Sequence, residues 1–269
     1  MPTLPPRPVI GILHPGAMGA ALGSALKTRA GAVIWADAGR SHATAKRAEL
    51  ADLIAVPDAA ELARRAHVIV SICPPHAARE VAELVAAGAA GRPDPPLYVD
   101  ANAVAPDTVR EIAALLGPDR VCDAAVIGPP AWERGTTVLW LSGPGADAVA
   151  ALLEGSAFEA RVLGTGAADV GTASGLKVCF ALQSKALPTV WLAMEEAAAR
   201  FGVTEALHGE LERTGAGHAV ALADVRAKAA AKGWRWAGEM EEAADGLAAV
   251  DVPDGFSRAA AELYRRAGG

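Results

Sequence analysis

The chain has 269 residues, of which 52% are hydrophobic and 21% are charged. That apolar share can fill a buried core and excludes a globally disordered chain, and the formal net charge of −6 argues against a protein that binds nucleic acid by neutralising phosphates. Cys73, Cys122 and Cys179 form no Cys-x-x-Cys pair, so they predict neither a disulfide framework nor a metal site. They are consistent with a reducing cytoplasm.

The run from Val9 to Leu26 carries no full charge and is apolar enough to resemble a membrane span. It contains Pro15 and four glycines, and Arg7 is a poor basic start for a signal peptide. We therefore expect a cytoplasmic protein without a membrane span.

Short apolar runs alternate with helical patterns in the first part of the chain, which predicts βαβ units and a parallel sheet. Right-handed crossovers would make this a doubly wound Rossmann sheet, with its ligand at the carboxyl ends of the strands. The predicted strands are residues 8–13, 32–35, 53–56, 67–72, 97–99, 120–126, 137–141 and 158–163.

After Gly166 the pattern becomes helical. A long helix is predicted from 169 to 200, and Pro188 within it should cause a kink. The chain is thus predicted to be an α/β domain, residues 1–166, followed by an all-helical domain, residues 167–269. The further predicted helices are 204–213, 218–231, 235–250 and 254–266.

Two glycines follow the first predicted strand in the pattern of a dinucleotide-binding turn. Gly16 and Gly19 take the second and third positions of Gly-x-Gly-x-x-Gly, and His14 takes the first. Such a turn lets a pyrophosphate meet bare amides at a helix N-terminus, although a tight turn alone would also explain two glycines. The predicted cofactor contacts here are Gly11, His14, Pro15, Gly16, Ala17, Met18 and Gly19.

The loop after the second strand bears on the identity of the cofactor. Asp37 stands where an acid would hold the ribose hydroxyls of NAD. Arg40 and Ser41 follow it, and a guanidinium there could bind the 2′-phosphate of NADP. Both cofactors stay open, with NADPH slightly favoured over NADH.

Several motifs together resemble one family. Gly16-Ala-Met-Gly19 is similar to the turn of the β-hydroxyacid dehydrogenase and 6-phosphogluconate dehydrogenase superfamily. His14-Pro-Gly-Ala-Met-Gly19 resembles a branch of it with a DUF1932-type C-terminal domain. The other motifs of that branch occupy residues 127–130, 135–137, 235–242 and 253–256.

This resemblance covers nearly the whole chain. It implies that the Rossmann domain binds NAD(P), and that the helical domain, carried on a long helix, binds substrate and forms a homodimer.

The resemblance also implies that Lys177 is a catalytic lysine. A lysine can protonate an alkoxide as hydride reaches a carbonyl carbon, or accept that proton in reverse. From the sequence alone, a lysine on the solvent face of a long helix is the simpler interpretation. The asparagine that the family has four residues later is Ala181 here, so the polar contact is predicted to come from Ser184, Gln183 or Asn102.

Substrate contacts are predicted in two further segments. A serine that holds a substrate carboxylate in the family is replaced by Ile127, which argues against a simple 3-hydroxy acid. Trp234 and Trp236 either pack in the core or at an interface, or Trp236, Arg235 or Glu239 lines the substrate pocket. Arg235 and Glu239 are also an i,i+4 pair on one helix face. The predicted substrate contacts are Ile127, Gly128, Pro129, Lys177, Trp236 and Glu239.

Three strand ends carry the remaining candidates. Cys73, Pro74 and Pro75 follow the fourth strand and are predicted to lie beside the nicotinamide ribose. Asp100 and Asp123 end the fifth and sixth strands, where each either caps the following segment or touches substrate.

The sequence therefore predicts an NAD(P)H-dependent oxidoreductase that moves hydride between nicotinamide and a small-molecule carbonyl or hydroxyl carbon. An imine reductase with the same architecture is one alternative. A dinucleotide-binding sensor or scaffold without chemistry is the other.

Overall fold

The computed structural model describes residues 4–215 and 217–267. The chain divides into two compact units, Met1–Lys177 and Val178–Gly269. This division falls within the helical stretch that follows the predicted boundary at 166/167.

The first unit is a doubly wound sheet with helices on both faces. Its eight strands lie in the order β3-β2-β1-β4-β5-β6-β7-β8. The strands are β1 (Val9–Leu13), β2 (Ala32–Ala36), β3 (Ile54–Val56), β4 (Val68–Ser71), β5 (Leu97–Asp100), β6 (Val121–Ile127), β7 (Val138–Ser142) and β8 (Glu159–Gly164). The helices are α1 (Ala17–Leu26), α2 (His42–Leu50), α3 (Ala59–Arg65), α4 (Ala78–Ala89), α5 (Pro106–Leu116), α6 (Ala146–Leu152) and α7 (Thr172–Ala181), the last of which continues past the division.

Alternate residues of the central strands build two cores. Ile10 and Ile12 of β1 lie on the face that α1 covers with Leu22. Ile34 and Ile69 lie on the opposite face with Leu62 of α3 and Ile112 of α5. The near-continuous apolar strands of the sequence are thus buried on both sides, as a parallel sheet requires.

The prediction of a wholly parallel sheet is wrong at one pair. β1 to β6 are parallel, but β7 runs antiparallel to β6, with Ile127 opposite Val138. Residues 128–137 form a hairpin loop without a helix, and a parallel crossover normally needs a longer connection. β8 then runs parallel to β7.

The second unit is entirely helical among its described residues. It contains a π-helical segment (Leu182–Ala186), α8 (Leu187–Phe201), α9 (Thr204–Arg213), α10 (His218–Ala248) and α11 (Gly255–Ala267). Its core includes Val178, Met240 of α10 and Tyr264 of α11.

Two helix predictions need correction. The helix expected at 169–200 is divided into α7, the π-helical segment and α8, and Pro188 lies in the first turn of α8. Proline has no N–H for the carbonyl four residues earlier, and the irregular turn directly precedes it. The helices expected at 218–231 and 235–250 are one helix, α10, in which Gly233 is buried rather than terminal.

Candidate functional site

The turn between β1 and α1 is tight and leads directly into the helix. His14 has a φ of 66°, in the left-handed region that glycine adopts easily. Its carbonyl accepts a hydrogen bond of 2.7 Å from the Gly16 amide, and α1 begins at Ala17. His14 therefore has a backbone conformation that favours glycine while it carries an imidazole.

The three glycines of this region serve different purposes. A Cβ on Gly11, inside β1, would lie 2.4 Å from Leu62 Cδ2, and one on Gly19 would lie 2.5 Å from the His14 carbonyl oxygen. Both glycines are thus required by packing. A Cβ on Gly16 would meet no atom within 4 Å, so the space beside this residue is open.

Two buried nitrogens of this region have no hydrogen-bond partner, Nδ1 of His14 and Nε of Arg40. Burial, reinforced by the charge of Arg40 and opposed by a backbone contact with Leu13, lowers the pKa of His14 to about 4. Burial also lowers the pKa of Arg40. A guanidinium nitrogen and an imidazole nitrogen that are buried without partners suit an anionic ligand.

The neighbouring candidates Asp37 and Ser41 are placed differently. Asp37 is exposed, and its amide donates to the Val56 carbonyl at 3.0 Å. Ser41 caps α2, because its Oγ accepts the Thr44 amide at 3.3 Å. Of these three residues, Arg40 is the one whose charge acts on His14.

Asn102 joins the ends of β4 and β5. Its Oδ1 accepts the Cys73 amide at 2.6 Å, and its Nδ2 donates to Ser71 Oγ at 3.2 Å. Burial raises the pKa of the Cys73 thiol to about 12, so this thiol stays protonated. Pro74 and Pro75 lead from this point into a short 3₁₀ turn before α4.

Asp123 is the third residue of β6 and does not end the strand as predicted, and it holds the first turn of α7. Its Oδ2 accepts the amides of Gly171 at 3.0 Å and Ser174 at 2.9 Å, and its Oδ1 accepts the Ser174 hydroxyl at 2.7 Å. Ser142 Oγ donates to the same carboxylate and accepts the Ala173 amide at 3.0 Å. Burial raises the pKa of Asp123, and these hydrogen bonds oppose that effect.

Two roles were left open for Asp123, and the structure shows the capping role. The helix that it caps is α7, which is not the next segment of the chain. The amides of a first helical turn have no partners within the helix, and Asp123 and Ser142 supply them.

Lys177 lies two turns into α7. Its Nζ donates to the carbonyl of Val126 in β6, the residue before Ile127. The structure therefore brings the candidate lysine to the strand end that carries the predicted substrate contacts.

The segment after Ile127 has a constrained backbone. Gly128 has a φ of 133°, and a Cβ there would lie 2.4 Å from the Thr136 carbonyl oxygen. The Thr137 hydroxyl donates to the Pro129 carbonyl across the same hairpin. This contact joins the motif at residues 127–130 to the motif at residues 135–137.

The candidates of the second unit lie in a packed cluster. Glu239 is paired with Lys185 and, at 3.1 Å, with Arg235, the i,i+4 pair that the sequence suggested. Trp236 packs edge-on against Tyr264, with ring centroids 5.3 Å apart. The packing interpretation of Trp236 accounts for this contact, and a substrate contact for it stays a prediction.

Ser184 lies in the π-helical segment, and its Oγ donates to the Phe180 carbonyl at 2.9 Å. A side chain seven residues after Lys177 would share its face in a regular α-helix, but the π-helical turn breaks that periodicity before Ser184.

Sequence reasoning missed Ser142, Ser174 and Lys185. Ser142 and Ser174 are polar residues at an apolar strand end and in an alanine-rich helix, but their shared partner is distant in sequence. Lys185 lacked any signal, since its partner Glu239 is on another helix.

Residues 198–267 match the model of a family described as a domain of unknown function, DUF1932. This range includes the predicted motifs at 235–242 and 253–256. A comparison with curated proteins found no match.

Solved structures share the fold over nearly the whole chain. The conserved protein MTH1747, whose structure was reported as similar to 3-hydroxyacid dehydrogenases, is 24% identical, with a TM-score of 0.66 and 96% of each chain covered. The 3-hydroxyisobutyrate dehydrogenase of Mycobacterium tuberculosis, solved with L-serine, is 19% identical, with a TM-score of 0.66 and coverage of 97% of this chain and 93% of that one. A variant imine reductase from Myxococcus stipitatus in complex with NAD+ is 18% identical, with a TM-score of 0.55 and coverage of 97% and 94%.

These comparisons confirm the predicted resemblance to the DUF1932-type branch and the predicted fold class, a Rossmann unit followed by a helical one.

Residues 4–215 and 217–267 include no helix that combines the length and apolar character needed to cross a membrane. Their His, Cys, Asp and Glu side chains form no group of three that could hold a metal ion.

Proposed function

We propose that the protein is an NAD(P)H-dependent oxidoreductase that moves hydride between nicotinamide and a carbonyl or hydroxyl carbon of a small molecule. The observation that carries this proposal is the arrangement at the carboxyl ends of the parallel strands. The glycine turn follows β1, Arg40 follows β2, Asn102 follows β5, and Lys177 is bound to the end of β6. Ligands of doubly wound sheets bind at this edge.

The residues around the turn suit a dinucleotide. The open space at Gly16 lets a pyrophosphate approach the amides of Ala17, Met18 and Gly19, which lie in the first turn of α1. This turn contains no acidic side chain that would repel it. The nitrogens of His14 and Arg40 that lack partners are proposed to contact the adenosine part of the cofactor.

Lys177 is proposed as the general acid or base. When bound, nicotinamide supplies hydride to the substrate carbon or accepts it from that carbon. Lys177 Nζ gives a proton to the oxygen on which negative charge develops, or takes it back in the reverse direction. The Val126 carbonyl orients this ammonium, and Asp123 fixes the helix that carries it.

Other residues are proposed to complete the site around the cofactor and Lys177. Asn102 positions the Cys73–Pro75 loop beside the cofactor. Ile127, Gly128 and Pro129 would contact substrate next to Lys177. Contacts from Ser184, Trp236 and Glu239, and a homodimeric state measurable by sedimentation, stay predictions.

Fluorescence titration of the purified protein with NADPH and NADH, followed by a panel of carbonyls and cyclic imines, tests the function. We expect binding of at least one cofactor and turnover of at least one substrate class. Absence of binding by both cofactors would reject the proposal.

An imine reductase is the second candidate. Ala181 replaces the family asparagine that orients a hydroxyl, and a preformed iminium needs no such partner. One similar fold is that of an imine reductase. Turnover of cyclic imines without any turnover of carbonyls would select this candidate.

A further inference from the structure

His14 occupies the first glycine position of the turn, and its imidazole has no specific role in the proposed function. A residue with a Cβ is unfavourable in the left-handed conformation at which His14 is held. Glycine would satisfy the backbone here. The imidazole must therefore contribute something that glycine lacks.

His14 and Arg40 approach each other from neighbouring loops. His14 follows β1, Arg40 follows β2, and the two strands are adjacent in the sheet. The charge of Arg40 acts on the imidazole and, together with burial, favours its neutral form. Each nevertheless keeps one buried nitrogen without a hydrogen-bond partner.

Unsatisfied buried nitrogens of this kind are unfavourable in a folded protein. Two such nitrogens, on loops that follow adjacent strands and on groups that repel when both are charged, are explained by a ligand that supplies negative charge and several acceptor oxygens. A phosphate group has both properties. In a doubly wound sheet the loops after β1 and β2 surround the adenosine ribose, where NADP carries its 2′-phosphate.

We propose that His14 and Arg40 together bind the 2′-phosphate of NADP(H), and that His14 is a specificity-determining residue for the phosphorylated cofactor. The proposal rests on the dinucleotide site of the proposed function. It goes further by assigning the histidine, rather than the loop arginine alone, to the choice of cofactor.

We expect the binding of NADPH to be coupled to the uptake of a proton by His14. Arg40 is the charged group that faces His14, and the Cys73 thiol beside Arg40 is protonated and neutral. Asp37, in the same loop as Arg40, is exposed to solvent. A phosphate dianion next to the imidazole favours the charged form of His14, so the affinity for NADPH should rise as the pH falls from 8 to 6.

The experiment measures dissociation constants of NADPH, NADH, 2′,5′-ADP and 5′-ADP for the unmodified protein and for the variants His14→Gly and His14→Asn. Glycine and asparagine both tolerate the left-handed conformation, so both variants should keep the turn. For NADPH and 2′,5′-ADP we expect Kd to rise about ten- to hundredfold in both variants. NADH and 5′-ADP should change less than about threefold, within the variation of ordinary surface substitutions.

The pH arm repeats the NADPH titration at pH 8 and pH 6. From pH 8 to pH 6, the Kd of the unmodified protein for NADPH should fall more than that of His14→Asn. The phosphate of NADPH ionises in the same way in both titrations, so the difference reports the imidazole. Parallel pH dependences would overturn the coupled protonation.

The remaining outcomes separate the two proposals. Equal losses for NADPH and NADH in the variants, or unchanged NADPH affinity in both, would overturn the role of His14 while leaving the oxidoreductase proposal in place. Failure of the unmodified protein to bind any of the four ligands would instead reject the dinucleotide site itself.

Discussion

The Ser174 hydroxyl donates a hydrogen bond of 2.7 Å to Oδ1 of Asp123, a carboxylate with no exposed surface. Three residues further along α7, Lys177 reaches the carbonyl of Val126, three residues further along β6. Strand and helix are thus attached at two points, by Asp123 and by Val126. The position of the lysine head group follows from this double attachment.

Asp123→Asn should destabilise the first unit. Asparagine keeps one oxygen for the backbone N–H groups of Gly171 and Ser174, but its amide nitrogen cannot accept the Ser174 hydroxyl. The negative charge that strengthens all these hydrogen bonds is also lost, at a cost of about 1–3 kcal/mol. Chemical denaturation measures the change. Ser174→Ala removes one hydroxyl and keeps the carboxylate, so its smaller effect is the matched control. Equal stability of Asp123→Asn and the unmodified protein would contradict the capping role.

Lys177→Ala should lower turnover of the substrate found in the panel by about 100-fold or more, the usual contribution of a general acid or base. The Kd for NADPH should stay within about threefold of that of the unmodified protein, because the glycine turn and Arg40 are untouched. Lys228→Ala is the control, since Lys228 is an exposed lysine paired with Asp224 on α10. Full activity of Lys177→Ala would favour the sensor or scaffold interpretation.

Gly16→Ala and Gly19→Ala form a matched pair. Gly16 has an ordinary φ of −65° and open space beside it, so alanine there should change the free energy of unfolding by less than about 0.5 kcal/mol. It should nevertheless weaken both cofactors about tenfold, because its methyl group occupies the space proposed for the pyrophosphate.

Gly19→Ala should instead destabilise the fold by about 1–3 kcal/mol, because its Cβ would approach the His14 carbonyl oxygen. Thermal unfolding and cofactor titration of both variants check the pair. Unaltered cofactor affinity of Gly16→Ala would count against the site at this turn.

His14 predicts a pH dependence of stability without cofactor. Its pKa is about 4 in the folded protein and 6.5 ordinarily. Its contribution is fully present above pH 6.5 and is lost as the pH falls through about 4, because the unfolded chain takes up the proton first. Denaturation at pH 7.5 and 4.5 should show a larger loss for the unmodified protein than for His14→Asn. Identical losses would mean that the histidine titrates normally.

Periodicity and turn chemistry predicted much of the fold. All eight strands occur within about two residues of their expected positions, an ordinary error for element boundaries, and the glycine turn lies where the sequence indicated. These features depend on neighbouring residues, which the sequence displays directly.

The features that could not be predicted depend on contacts between residues that are distant in the sequence. An apolar run does not specify strand direction, so the reversal at β7 was missed. The role of Asp123 required knowing that Gly171 and Ser174, 48 and 51 residues away, return to it. The continuity of α10 follows from burial of Gly233, which outweighs the weak local preference of glycine.

The two side-chain hydrogen bonds of Asn102 limit the substitutions that this position can accept during evolution. Its carbonyl oxygen holds one loop, and one of its two amide hydrogens holds the neighbouring strand end. Aspartate would lose the donor and leucine would lose both groups, so exchange at this position disturbs the spacing of β4 and β5 before it alters any ligand. Relatives that acquire new substrates are therefore expected to vary first at positions such as Ile127, whose side chain carries no polar connection, while the amide at 102 persists.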